Sequence, residues 1–337
     1  MEEAYTRHWE SGRRRGKKAE KPRTAADAAR SSYYGVPVIH RVHWGWHVVV
    51  YFFLGGIAGA SYLIAAISAL VGPREDRTLV RAGRFLSLLA LLPCPLLLIL
   101  DLGRPERFLH MLRVVKLRSP MSIGIWTVIV FSAFSGFAAV YQAAIDGILG
   151  RNALARLICR LPARAIGGAG IVPAFLMSGY TGPLLGATAV PLWAKNALLL
   201  GPLFLASALS TSASTIALLL NRTRGSATTM QRVETVERIA MAAELGLLAS
   251  SRLRLGETAK PLEEGKPGAA MRYGVIGAGL VAPMAIQAVN RRHRRTLVTA
   301  ASLLTIAGGL ALRYAVIAGG HASADDPQAT FEFTQKR

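Results

Sequence analysis

Residues 46–71 read WHVVVYFFLGGIAGASYLIAAISALV, 26 positions without a Lys, Arg, Asp or Glu. A helix of that length reaches roughly 39 Å at 1.5 Å per residue, more than the ~30 Å hydrocarbon core of a bilayer. The run does not alternate polar with apolar, as a barrel strand must. Only helices and closed barrels satisfy the backbone in lipid, so it reads as a membrane-crossing helix. Working outward, further apolar runs occupy 85–102, 121–145, 165–190, 192–220, 233–250, 272–289 and 297–318. The run 233–250 is the weakest, because it holds Glu234, Glu237, Arg238 and Glu244. The expected fold is therefore all-α: a polytopic integral membrane protein with eight transmembrane helices, arranged as two four-helix bundles. The membrane domain spans 44–320, between a polar basic tail (1–43) and a polar C-terminal tail (321–337). Small residues at Gly55-Gly56, at Gly59-Ala60-Ser61 and through 207–214 suit close helix packing in lipid.

Composition agrees. The 337-residue chain is 52% hydrophobic and only 18% charged, with mean hydropathy +0.36, against about 25% charged in typical soluble domains. Its charges are crowded between the apolar runs, which excludes a soluble globular enzyme. Forty Lys and Arg against 19 Asp and Glu give +21, a balance that would suit nucleic acid. The basic residues, however, border apolar runs, where they snorkel to headgroups. No basic face interleaved with aromatics is present, so nucleic acid is not the expected partner. The run from Arg13 to Lys18 reads as a tail lying near anionic lipid or a partner protein. Residues 1–43 lack an apolar core and a small-residue cleavage site, and so read as a tail and not a signal peptide. Lys and Arg counts over the loops leave the sidedness open: the long tail favours one orientation and the short loops the other.

Two cysteines, Cys94 and Cys159, are too few for an iron–sulfur cluster or a structural zinc site. A membrane-embedded haem would need two axial histidines, and only His47 falls within an apolar run, so no haem is expected. Patterns for nucleophilic catalysis, zinc proteolysis or phosphate binding are absent.

With eight crossings, the unusual polar residues sort to one face. His43 and His47, four apart and expected on one helix face, begin the first run. Asp101 and Arg104 end the second, Tyr180 and Thr181 lie in the second half of the fourth, and Lys195 opens the fifth. Arg313 lies inside the last run and His321 just beyond it. Ionisable groups at membrane depth are costly and mark functional sites. An apolar slot with a few donors and a titratable pair suits a small amphipathic ligand entering from lipid. Glu244 and Arg313, each inside a run, either tie helices together or form part of a proton route, with Asp146 at the end of the third run as an exit on the far face. Lys195 reads as a snorkelling interfacial charge.

These residues also carry a resemblance. Asp101-Leu102-Gly103-Arg104-Pro105-Glu106-Arg107-Phe108, followed by Ser119-Pro120-Met121-Ser122, resembles the DLGRP…SPMS signature of the NrfD/PsrC family. Supporting segments are residues 51–59 (YFFLGGIAG), 180–185 (YTGPLL), 205–210 (LASALS) and 309–314 (GLALRY), so that the similarity covers about 43–327 in order. The family comprises membrane subunits of polysulfide reductase-like iron–sulfur molybdoenzymes. The resemblance implies a multi-pass protein of the prokaryotic inner or plasma membrane, with a quinone site beneath a ferredoxin-like iron–sulfur subunit and a molybdopterin-type or other catalytic subunit. Electrons then pass between the partner's cluster and menaquinone or ubiquinone, and no iron–sulfur cluster is needed in this chain. The implied quinone ligands are His43 or His47 and Tyr180, with Asp101 coupling the proton and Thr181 and Arg104 beside them. Each has a structural alternative: the histidines as interfacial anchors beside Trp44 and Trp46, Asp101 paired with Arg104 or Arg107, Tyr180 as a packed aromatic. A passive anchor and a transporter are the competing functions; the one-sided placement of the polar residues counts against a midplane transport site.

Overall fold

The computed structural model describes residues 39, 42–102, 110, 112–113, 115–116, 118–150, 152–223, 226–290 and 294–326; Arg104 lies outside them. Every regular element among the described residues is helical. Helix α1 (Trp46–Val71) begins after Gly45, whose extended backbone (φ −85°, ψ −167°) holds residues 42–45 out of the helix. The expectation that His43 and His47 share a helix face is corrected accordingly: His43 is exposed ahead of α1, and only His47 lies on it. Helices α2 (Arg77–Leu91) and α3 (Cys94–Asp101) form one apolar stretch broken at Leu92-Pro93, where proline has no N–H to continue the ladder. Helix α4 (Pro120–Ile145) starts with proline in its first turn and the Ser119 hydroxyl as N-cap, accepting from Ser122 N–H. Asn152 caps the short α5 (Ala153–Arg160) in the same way.

Six helical stretches are long and apolar enough to cross a bilayer: α1, α2–α3, α4, α10 (Ala197–Thr223), the stretch Gly265–Val289 and α14 (Arg295–Ala324). Two expected crossings differ. Run 165–190 breaks into α6 (Ala163–Ala169), α7 (Ile171–Gly179) and α8 (Thr181–Gly186), followed by α9 (Pro191–Lys195). Glycines 167, 168, 170, 179 and 182, with Pro173 and Pro183, weaken this run as a continuous helix. The break also serves packing, since a Cβ on Gly182 would stand 2.2 Å from the Gly201 nitrogen, a backbone approach that only glycine permits. Run 233–250 lies inside α11 (Ala227–Leu255), 29 residues long but interrupted by charge. The stretch 265–289 comprises α12 (Gly265–Ala269), a π-helical segment (Ala270–Val281) and α13 (Ala282–Val289). The last helix reaches Ala324, slightly past the expected end of the membrane domain.

Helix α1 is the packing centre. Val48 and Phe52 join a core with Trp193, Phe204, Met241 and Leu312. Ile57 and Tyr62 join a second with Cys94, Phe131 and Met177, and Ile64 a third with Ile216, Leu220 and Val233. The elements meet at two ends. At the end where α1 begins, Trp44 stacks on Trp193 at 5.4 Å, Trp193 Nε1 donates to Val316 O (2.9 Å), and Leu192 N–H donates to the Ser323 hydroxyl. At the opposite end Arg81 pairs with Asp146 (2.9 Å), Thr229 and Arg232 both bond Asp76, and Asn221 donates to Arg295 O.

Candidate functional site

The end where α1 begins collects groups from four segments. Asp101, on the last turn of α3, accepts from the Gly45 backbone N–H and lies within electrostatic reach of His47. His47, partly buried, packs its ring 4.0 Å from that of Trp46. One turn deeper on α1, Tyr51 shares the His47 face and lies within electrostatic reach of Cys94 and Tyr180. Cys94 is buried and donates to Ala90 O at 3.3 Å.

Tyr180 sits at the junction of α7 and α8. Its hydroxyl donates to Pro120 O and accepts from Gly124 N–H, both near the start of α4. The ring has room because residue 124 is glycine: a Cβ there would stand 2.9 Å from Tyr180 Cε1. Tyr180 thus ties the α7–α8 break into the start of α4, as the structural alternative requires, while one hydroxyl lone pair is left. Thr181 is buried at the start of α8. Beside this junction, α4 and α7 bound a groove of about 280 Å³ lined by Ser122, Ile123, Trp126, Val172 and Leu176. The buried Trp126 Nε1–H has no hydrogen-bond partner among the described residues.

Lys195 does not snorkel. Its ammonium donates to Leu255 O (2.6 Å) at the end of α11 and to the Thr258 hydroxyl (3.2 Å). His321 packs near Trp193, continuing the Trp44–Trp193 stack.

Deeper, Glu244 and Arg313 are brought together, through Ser207. The buried Arg313 donates to the Ser207 hydroxyl (2.5 Å) and to Gly309 O (2.9 Å), with its guanidinium 5.5 Å over the Phe204 ring. Ser207 and Ser210 both hydrogen-bond Glu244, Ser210 at 3.0 Å. Two turns along α11 the buried Glu237 repeats the arrangement, accepting from Ser214, from Thr305 (3.3 Å) and from Gln287. Sequence reading missed Glu237 and Tyr51 as site residues. The signals were spacings: Glu237 is seven before Glu244, facing the i, i+3, i+7 series Ser207, Ser210, Ser214, and Tyr51 is four after His47. Asp146 is not joined to this network. It belongs to a separate cluster at the opposite end, bonded to Arg81 and Gln142, and Gln142 in turn to Arg84.

No curated protein matches the chain. The family model described as polysulphide reductase, NrfD, matches residues 38–324, which include the helices and both polar clusters described above, and the chain belongs to that family.

Proposed function

We propose that this NrfD-family chain is the quinone-reactive membrane subunit of a polysulfide reductase-like complex in a prokaryotic plasma membrane. It exchanges electrons between a partner ferredoxin-like iron–sulfur subunit, itself coupled to a molybdopterin-type or other catalytic subunit, and membrane menaquinone or ubiquinone. The observation carrying this reading is the convergence of His47, Asp101, Tyr51 and Tyr180 at one end of the helices, next to an apolar groove between α4 and α7. Quinone reduction consumes two electrons and two protons. The electrons come from the partner's cluster; the protons need titratable groups at the quinone oxygens. Asp101, beside His47, delivers one proton to one oxygen, and the proton for the other oxygen comes from water at the same end of the helices. The Tyr180 oxygen, fixed by Pro120 and Gly124, has a lone pair for a quinol hydroxyl, and the Trp126 indole N–H is a donor for a quinone carbonyl. Thr181 and His43 belong to the same proposed end of the chain, and Arg104 joins the proposed ligands on the family resemblance alone. The partner supplies the clusters, which fits a chain with only two cysteines.

The fold proposed with this function has eight crossings: the six apolar stretches, the α6–α8 series and α11. The contacts at the two ends of α11 support it, since Thr229 near its start meets Asp76 at one end, while Leu255 at its finish meets Lys195 at the other.

The test is turnover of the purified complex, with its partner subunits, in proteoliposomes containing menaquinone. Asp101→Asn should lower quinone turnover about 10²-fold, the scale of a lost proton-transfer group, with the subunits still co-purifying. Unchanged turnover would establish the passive-anchor reading instead.

A proton route in the second half is favoured by one specific observation: the serine face of α10 bonds both buried acids of α11. Arg313, Ser207, Glu244, Ser210, Ser214 and Glu237 form a polar line ending near Gln287 and Asn290. Ionisable groups at this depth are the usual components of proton relays. With this route, Glu237→Gln keeps quinone turnover in uncoupled vesicles but abolishes the pH gradient that turnover builds across the membrane, read with an entrapped pH dye.

A further inference from the structure

Between α10, α11, the π-helical segment and α14 lies a second cavity, of about 370 Å³, distinct from the groove at Tyr180. Its volume falls within the ~300–1,000 Å³ range of small-molecule sites. Its lining is ordered along the helix axes. Asn196, Ser251 and Arg252 stand nearest the end where Lys195 meets Leu255, and Arg272 begins the third wall at the same level. One to two turns deeper come Leu200 and Leu203 on α10, Leu248 and Leu245 on α11, and Ile276 on the π-helical wall. A polar mouth over an apolar shaft is complementary to an amphiphile inserted head-outward.

Asn196 makes the site specific. The side chain is 4% exposed, and its Nδ2 donates to the Ser251 hydroxyl at 3.2 Å. Its Oδ1 is buried with no hydrogen-bond partner among the described residues. A buried acceptor left unmade costs about 1–3 kcal/mol, so a donor that reaches this oxygen from the adjoining cavity stabilises the site. The mouth is also basic. Segment 252–272 carries Arg252, Arg254, Lys260, Lys266 and Arg272 against Glu257, Glu263 and Glu264, and Arg252 and Lys260 are paired with Glu263 and Glu257. Arg272 is exposed at the rim. The wall below it is π-helical, a geometry frequent at functional sites.

We propose that this cavity is a binding site for an anionic glycerophospholipid whose head carries hydroxyl groups. One acyl chain fills the leucine-lined shaft, a head hydroxyl donates to Asn196 Oδ1, and the phosphate lies against Arg272. The inference is independent of where quinone reacts.

The probe is phosphatidylglycerol, added to delipidated full-length protein purified with its partner subunits in mild detergent, with bound lipid counted by native mass spectrometry. Wild type should retain phosphatidylglycerol in preference to phosphatidylcholine. Leu248→Trp, which fills the shaft with apolar volume, should lose retention at least tenfold. Asn196→Leu, which removes the acceptor, should also weaken retention. Arg272→Gln, a surface change that leaves the packing untouched, should cut the preference for the anionic lipid about fivefold, the scale of one basic residue at a lipid surface. Three outcomes overturn the proposal: equal retention of the two lipids by wild type, undiminished retention by Leu248→Trp, or retention of added menaquinol at this site in place of phospholipid. Should Leu248→Trp fail to fold, an unchanged lipid preference in Arg272→Gln overturns it equally.

Discussion

The Tyr180 hydroxyl reaches the start of α4, between the carbonyl of Pro120 and the N–H of Gly124. Gly124→Ala puts a methyl group 2.9 Å from Tyr180 Cε1, against backbone-anchored atoms that have little freedom to move. The ring must shift, and the expected result is a stability loss of about 1–3 kcal/mol with altered quinone affinity, read by thermal unfolding in detergent and by KM. The buried Arg313 gives a sharper prediction. Arg313→Ala leaves Glu244 without its nearest cation, and breaking such a buried pair costs about 3–5 kcal/mol. Adding Glu244→Ala should recover much of the loss, because the stranded carboxylate goes with it. Additive losses in the double variant would mean that the two residues do not interact. From the sequence, Glu244 and Arg313 were legible as costly residues inside apolar runs. Their connection through Ser207 was not, since it joins α10, α11 and α14.

At the scale of elements, one long apolar run became three short helices while its neighbours stayed whole. Residues 165–190 carry enough glycine and proline to weaken any continuous helix, yet Pro202 sits within α10 without ending it. The difference lies in the partner. Gly182 meets the backbone of Gly201, and the Tyr180 side-chain hydroxyl at the junction reaches α4. Gly182→Ala should force α8 away from α10 and lower the melting temperature, with a cost of about 1–3 kcal/mol. Gly246→Ala, where a Cβ meets nothing within 4 Å, serves as the neutral control on α11. Close backbone approach between helices is the usual use of small residues in membranes, where lipid tails remove the hydrophobic drive for association.

For the whole molecule, the decisive element is α11, long enough to cross at 29 residues but carrying Glu237 and Glu244. In water-exposed form those acids would argue against a crossing. In the assembled protein they face serines of α10 and Thr305 of α14, so lipid does not meet them. With Cys94 and Cys159 replaced by serine, Ser226→Cys and Glu257→Cys place single exposed thiols at the two ends of α11. An impermeant maleimide should label them from opposite sides of the membrane. Labelling of both from one side would reduce the crossings to fewer than eight.

The sequence by itself determined that the chain is helical and membrane-embedded, because the length of an uncharged run and the need to satisfy every backbone group in lipid are local properties. Its DLGRP and SPMS segments carried the family resemblance for the same reason: they are contiguous. Tertiary structure alone decided what each polar side chain does. Tyr180 reaches Pro120 and Lys195 reaches Leu255 across 60 residues each, and Arg313 reaches Ser207 across 106. Lys195, which reads as a snorkelling charge, is held inside by a carbonyl at another helix's end. Asp146, which reads as an exit for protons, is paired with an arginine from α2. A polar group in a membrane protein takes its role from whichever partner spares it from lipid, and helices far apart in the chain supply that partner.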